Sequence, residues 1–175
     1  MRRVLTRRLD TPVGEMVAGA SDEGICLLEF AHRRTFAEQV GRVERHVGAV
    51  SPGSHPYLDA LENQLGEYFC GARQSFDIPL VLAGTDFQER VWRTLLEIPY
   101  GTTISYAELA RRVGSIGGSR AVGRANGDNR IAIAVPCHRV IRADGDLGGY
   151  GGGLSRKRRL LELEAGSAQA NLFEQ

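Results

Sequence analysis

The chain is poor in lysine, cysteine and long apolar runs, and each scarcity excludes something. Three cysteines, Cys26, Cys70 and Cys137, cannot all pair, and none stands in a C-x-x-C. That argues against both a disulfide scaffold and a thiolate zinc cluster, and makes a reducing, cytoplasmic compartment the default. The longest uninterrupted aliphatic run, Ile131 to Val135, is five residues, far short of the roughly 20 that a transmembrane helix needs, so no membrane partner is expected. The N-terminus, Met1-Arg2-Arg3-Val4-Leu5-Thr6-Arg7-Arg8, is basic but lacks the apolar stretch of a secretory signal. What remains is 175 residues, 42% hydrophobic and 25% charged, the composition of an ordinary globular protein of one or two small domains.

Net charge is only +1, but it is unevenly spread. Residues 1–84 carry 9 basic and 11 acidic side chains, residues 85–175 carry 13 and 10, and within 105–142 seven arginines face only Glu108 and Asp128. Of the 22 basic residues only Lys157 is a lysine. Arginine presents a planar fork suited to phosphate, where lysine is a point charge. A genomic codon bias explains the arginine excess equally well, and a solvated basic face is the commoner meaning of such a cluster.

Alternating apolar residues make Val4–Leu9, Gly14–Ala20 and Ile25–Phe30 strand candidates, separated by turn compositions. Residues 34–47 form a weak helix and 49–56 a loop. Leu58, Leu61, Leu65, Tyr68 and Phe69 lie on one side of a helix from Pro56 to Phe69, and Phe76–Leu82 reads as extended. Ala83-Gly84-Thr85 separates an N-terminal α+β domain (1–84) from a mainly helical one (85–165), with 166–175 as a loosely held tail. In the second part Thr85 caps a helix over 86–98, and Ser105 caps another over 106–113, with Glu108 at capping-box spacing. A glycine-rich turn, 114–118, leads to a third helix capped by Ser119 and ending near Asn126, and Ser155 caps a last helix through Glu164. Helix, short glycine turn, helix is the outline of a helix-turn-helix. Arg120, Arg124 and the small residues Ala121, Gly123 and Ala125 suit a helix that approaches DNA closely; a plain helical hairpin in a core is the competing account.

A lone cysteine is most often an inert buried hydrophobe, and Cys26 and Cys70 are read that way. Cys137 differs. Pro136 fixes the backbone before it, His138 follows, and Arg139 and Arg142 favour a thiolate. The run Gly148-Gly149-Tyr150-Gly151-Gly152-Gly153 lacks the rest of a P-loop. It is either a flexible turn or a backbone surface that a flat ligand approaches closely.

Ile131-Ala132-Ile133-Ala134-Val135-Pro136-Cys137-His138-Arg139-Val140 resembles the active-site signature of the O6-alkylguanine-DNA alkyltransferases, the methylated-DNA–protein-cysteine methyltransferases. Ile98-Pro99-Tyr100-Gly101, Ser105-Tyr106-Ala107-Glu108-Leu109-Ala110, Arg120-Ala121-Val122-Gly123, Asn126-Gly127-Asp128-Asn129, Gly149 to Leu154 and Lys157 to Glu164 are similar in order and spacing. The resemblance is strong over about residues 85–165 and looser before them. It implies an α+β fold: a small antiparallel-sheet, ribonuclease-H-like N-terminal domain and a mostly helical winged helix-turn-helix domain. It further implies a monomer that binds double-stranded DNA, flips out O6-alkylguanine and moves the alkyl group irreversibly onto its own cysteine, without a cofactor. O4-alkylthymine is a further candidate substrate.

By the same resemblance Cys137 is the acceptor, and His138 relays its proton through a water toward Glu164. Tyr106 donates to guanine N3, and Asn129 fixes the turn carrying Cys137. The carbonyls of Cys137 and Val140 accept from the guanine amino group, Tyr150 lines the pocket and the Gly151 N–H faces O6. Arg120 fills the gap left by the flipped base, and Tyr106, Ala121 and Arg124 are further DNA contacts. Arg130 stands where the family commonly has proline, which puts the rigidity of that turn in question. Cys26, His32, His46 and His55 do not reproduce the zinc site of some relatives, so no metal is expected. Two competing readings are a non-enzymatic lesion-binding protein, against which Cys137 argues, and a Cys-His hydrolase unrelated to DNA, against which Arg120 argues.

Overall fold

Apolar alternation in the first thirty residues produces three strands, β1 (Arg3–Thr11), β2 (Gly14–Ser21) and β3 (Gly24–Phe30). They pair antiparallel in sequence, with a bulge at Gly19/Ala20. Thr11 Oγ1 donates to the Gly14 carbonyl at 2.7 Å and closes the first turn. The expected loop over 49–56 instead opens with a strand, β4 (Ala49–Pro52), which pairs parallel to β1 and completes the order β3-β2-β1-β4. The sheet is therefore not purely antiparallel. Gly48 admits this edge, since a Cβ there would lie 1.9 Å from the Arg2 carbonyl oxygen.

Helix α1 (Phe36–His46) buries Gln39 and Val43. Helix α2 (Pro56–Phe69) starts at His55, whose ring accepts from the Tyr57 N–H at 3.1 Å, with Pro56 suited to the first turn. It buries Leu58, Leu61, Leu65 and Tyr68, each contributing about 2 kcal/mol by burial; Phe69 is only half-buried. The segment expected to be extended, 76–82, touches β3 only around Leu80, with Ile25 N–H donating to Pro79 and Val81 N–H donating to Ile25, both at 2.8 Å. Further along the same edge Leu28 exchanges 2.8 Å hydrogen bonds with Arg130 and Ala132. All seven residues of β3 are buried.

This computed structural model describes residues 2–173. It divides into two compact units, the first running up to Gly84 and including Arg130–Ala134, the second comprising Thr85–Asn129 and the chain from Val135 onward.

In the second unit α3 (Asp86–Leu95) carries a complete capping box between Thr85 and Gln88. It stops a turn before the expected Ile98, because Glu97 and Ile98 donate three residues back rather than four. The Trp92 indole donates to the Ala125 carbonyl at 2.9 Å. Helix α4 (Tyr106–Arg112) is capped by Ser105, which accepts from the Glu108 N–H at 3.0 Å. The Glu108 carboxylate turns instead to Arg111 and Arg112, whose hydrogen bonds hold its pKa at about 2. Ser119 does not cap α5 (Ser119–Gly127); it is its first residue, and Gly118 takes the cap position. A Cβ at Gly118 would fall 2.1 Å from Ser115 Oγ, so the turn that brings Gly118 N–H to Ser115 O at 2.7 Å requires glycine.

Strands β5 (Ile104–Ser105) and β6 (Val140–Ile141) form a two-residue parallel pair. Helix α6 (Leu154–Phe173) begins one residue before Ser155 and does not stop at Glu164. The expected tail is thus helical as far as Phe173, and its last two residues lie outside the described ones. Among the described residues no helix is long and apolar enough to cross a membrane.

Candidate active site

Cys137 begins a single 3-10 turn, Cys137–Arg139, and is 6% exposed. Its N–H donates to Val135 O at 2.8 Å, and its carbonyl accepts from the Val140 N–H. Two buried asparagine amides hold this turn. Asn129 Nδ2 donates to Val135 O at 2.8 Å, and Asn126 Nδ2 donates to Cys137 O at 3.2 Å. The role expected for Asn129 has a geometric basis in that bond. Asn126 was not singled out, although its place one turn before Asn129 at the end of α5 is a usable signal.

His138 and Glu164 are both fully buried and meet directly, Nε2 to Oε1 at 2.7 Å. Burial is the largest influence on His138 and lowers its pKa, against the opposing carboxylate of Glu164. On Glu164 burial works the other way, but hydrogen bonds from His138 and Arg139 outweigh it and hold the pKa at about 2. The pair is thus a neutral imidazole donating through Nε2 to an ionised carboxylate. That assigns the lone pair to Nδ1, which has no hydrogen-bond partner among the described residues and can accept a proton.

Arg139 does not face the thiol as a surface charge would. It is buried, grips Glu164 with Nε and Nη2 at 2.9 Å each, donates to Ile98 O at 2.8 Å, and its guanidinium carbon lies 5.6 Å from the Tyr100 ring centroid. The sequence suggested that Arg139 favours a thiolate; the structure places it on the carboxylate.

Tyr106 is half-buried at the start of α4. Burial, and then the negative charge at Cys137, raise its pKa, so the phenol stays a donor at neutral pH. Glycines pack close to the ring: a Cβ at Gly148 (φ +70°) would lie 3.1 Å from its hydroxyl, and one at Gly123 3.6 Å from a ring carbon. Tyr150 is half-buried and Gly151 exposed. The Val140 carbonyl accepts from Lys157 Nζ at 2.7 Å, an interaction the sequence did not reveal. Among the described residues no three or more His, Cys, Asp or Glu side chains are grouped to hold a metal.

The arginine cluster sorts into distinct groups. Arg111 and Arg112 pair with Glu108, Arg139 is buried on Glu164, and Arg130, also buried, donates to the Ala83 carbonyl. Arg120, Arg124 and Arg142 are left exposed, as is Ala121. The basic face is therefore smaller than seven arginines suggested, and two of its members lie on the second helix of the helix-turn-helix.

A family model described as 6-O-methylguanine DNA methyltransferase, DNA binding domain, matches residues 86–166. The methylated-DNA–protein-cysteine methyltransferase of Mycobacterium tuberculosis is 46% identical over 166 residues, 95% of each chain. A crystal structure of the O6-methylguanine methyltransferase of that organism superposes with a TM-score of 0.81 at 44% identity, covering 97% of this chain and 99% of that one. Another, of the M. tuberculosis OGT in complex with DNA, superposes at 0.79 with 43% identity over 94% of each.

Proposed function

Because the chain belongs to the methylated-DNA–protein-cysteine methyltransferase family, we propose that it repairs double-stranded DNA directly, taking the alkyl group of O6-alkylguanine irreversibly onto Cys137. The observation that carries this reading is a buried cysteine followed by a neutral histidine whose other nitrogen is fixed on an ionised carboxylate.

The balance of the step is simple. A neutral thiol attacks carbon poorly, so its proton passes through a water to His138 Nδ1. The sulfur lone pair forms the S–C bond as the C–O6 bond breaks, and the electron pair leaves on guanine. Tyr106, kept protonated by its surroundings, supplies the guanine ring with a proton at N3. The imidazolium then releases its proton to water and the phenolate regains one from it, so in the sum the proton lost by the thiol equals the one gained by the base. The thioether has no route back, so each molecule reacts once.

The remaining roles are those that the family resemblance implies. Asn129 fixes the turn, Val140 and Cys137 offer carbonyls to the guanine amino group, and Tyr150 and Gly151 bound the pocket. Of the two carbonyls, that of Cys137 already accepts from Asn126 and Val140. Arg120 takes the place of the extruded base, offsetting part of the few kcal/mol that unstacking costs; Ala121 and Arg124 contact the same duplex.

Intact mass after mixing with a duplex containing O6-methylguanine tests the reading. A gain of one methyl per chain, abolished by Cys137→Ser, supports it. Binding without a change in mass makes the protein a lesion binder, and repeated turnover on an ester or amide makes it a hydrolase.

A further inference from the structure

The chain has one lysine beside twenty-one arginines, and that lysine is fully buried. Lys157 lies in the first turn of α6, and its Nζ donates to the carbonyls of Val140 at 2.7 Å, Gly149 at 3.1 Å and Leu147. An ammonium has three N–H groups, and three carbonyls take them. A buried cation requires such saturation. A guanidinium cannot replace it, because its planar fork spreads donors outward instead of converging them on one point.

The three carbonyls belong to two stretches, the start of β6 and the loop at 147–149. Between them the chain folds back through a turn in which Arg142 N–H donates to Asp146 O at 2.8 Å. The same ammonium lies 5.9 Å from the Tyr106 ring centroid, and Gly148 packs against the Tyr106 hydroxyl. Lys157 thus ties together the carbonyl offered to guanine, the glycine loop and the phenol.

We propose that Lys157 is a positioning residue of the guanine pocket, holding the Val140 carbonyl where it reads the 2-amino edge of the base and the Leu147–Gly149 loop against Tyr106. The proposal rests on the alkyl-transfer reading. It concerns recognition and is separable from the reactivity of Cys137. The groups facing the ammonium are Cys137, Asp146 and Tyr106, with His138 also sensing its charge. Burial, the largest influence, lowers its pKa to about 8 against the opposing charges at Cys137 and Asp146.

The test labels Cys137 with two free bases, O6-benzylguanine and O6-benzylhypoxanthine, which lacks the 2-amino group. The ratio of their rates cancels the state of the thiol they share. The wild type prefers the amino-bearing base, and in both Lys157→Met and Lys157→Arg the preference shrinks about tenfold, as expected for a displaced acceptor. In the wild type it also shrinks as pH passes about 8 and the third N–H is lost; this arm needs no variant to fold. A ratio unchanged in both variants, preserved by arginine alone, flat between about pH 7 and about pH 9.5, or close to one in the wild type overturns the proposal. A wild type labelled by neither base that also gains no methyl from a duplex containing O6-methylguanine overturns the alkyl-transfer reading instead.

Discussion

Glu29 in β3 and Glu164 in α6 are both buried, and each is gripped by an arginine, Arg33 at 2.7 Å and Arg139 at 2.9 Å. They nevertheless carry opposite shifts. Burial dominates at Glu29 and raises its pKa despite Arg33. At Glu164 two partners act together, and the pKa falls to about 2. Glu29 also accepts from the Phe30 N–H at 2.9 Å and from Gln39 Nε2 at 3.4 Å without losing its upward shift, whereas at Glu164 His138 adds a shorter hydrogen bond, 2.7 Å, from a titratable ring. A buried Glu–Arg pair is an ordinary structural device. At Glu164 a histidine stands beside it, one residue from a cysteine, and that histidine, not the carboxylate, is the base in the proposed function.

The largest effect should come from removing the carboxylate on each side of this comparison. Glu164→Gln is expected to slow single-turnover transfer by about 100-fold or more, the usual scale of lost acid–base assistance; Glu29→Gln should leave the rate within about twofold. Equal losses would mean that the Glu164 site is structural too. Quench-flow on matched samples, with folding checked by thermal melting, distinguishes the two.

The next effect concerns stability against pH. Glu164, depressed below the ordinary carboxylate value of 4.5, contributes stability that is complete above that value and is lost as pH falls toward about 2. Glu29, raised above it, contributes stability that is present at lower pH and lost as pH rises through its elevated folded value. Urea midpoints across pH should therefore flatten on the acid limb in Glu164→Gln and above pH 4.5 in Glu29→Gln. Identical curves for the two variants would break the contrast.

The smallest effect compares exposed with paired arginines. Arg120→Ala should weaken repair of duplex DNA about tenfold more than reaction with free O6-benzylguanine, since only a duplex leaves a gap to fill. Arg111→Ala, whose guanidinium already serves Glu108, should change both substrates alike. Equal losses on duplex and free base for Arg120→Ala would remove the gap-filling role.

Much of this was legible in the residues. The three opening strands, α2 with its leucine face, and the caps at Thr85 and Ser105 follow from periodicity and side-chain chemistry that act locally. The parallel edge β4 was not legible, because a four-residue strand announces itself only through the partner it finds. The cap at Gly118 was missed because it depends on Ser115 crowding, not on a side-chain hydrogen bond. In the site, Cys137 and His138 stood out through their local sequence context and Glu164 through the resemblance. The grip of Arg139 on Glu164 spans 25 residues and that of Lys157 on Val140 spans 17, distances no local pattern encodes.

The five residues Arg130–Ala134 lie between two stretches of the second unit yet belong to the first, through hydrogen bonds with Leu28. A gene cut after Gly84 would consequently yield no self-sufficient halves. The upstream fragment would expose the bare amide and carbonyl of Leu28 on an unpaired strand edge, an invitation to aggregate. The downstream fragment would carry Ile131 and Ile133 stripped of their cover, only a few residues ahead of the reactive sulfur.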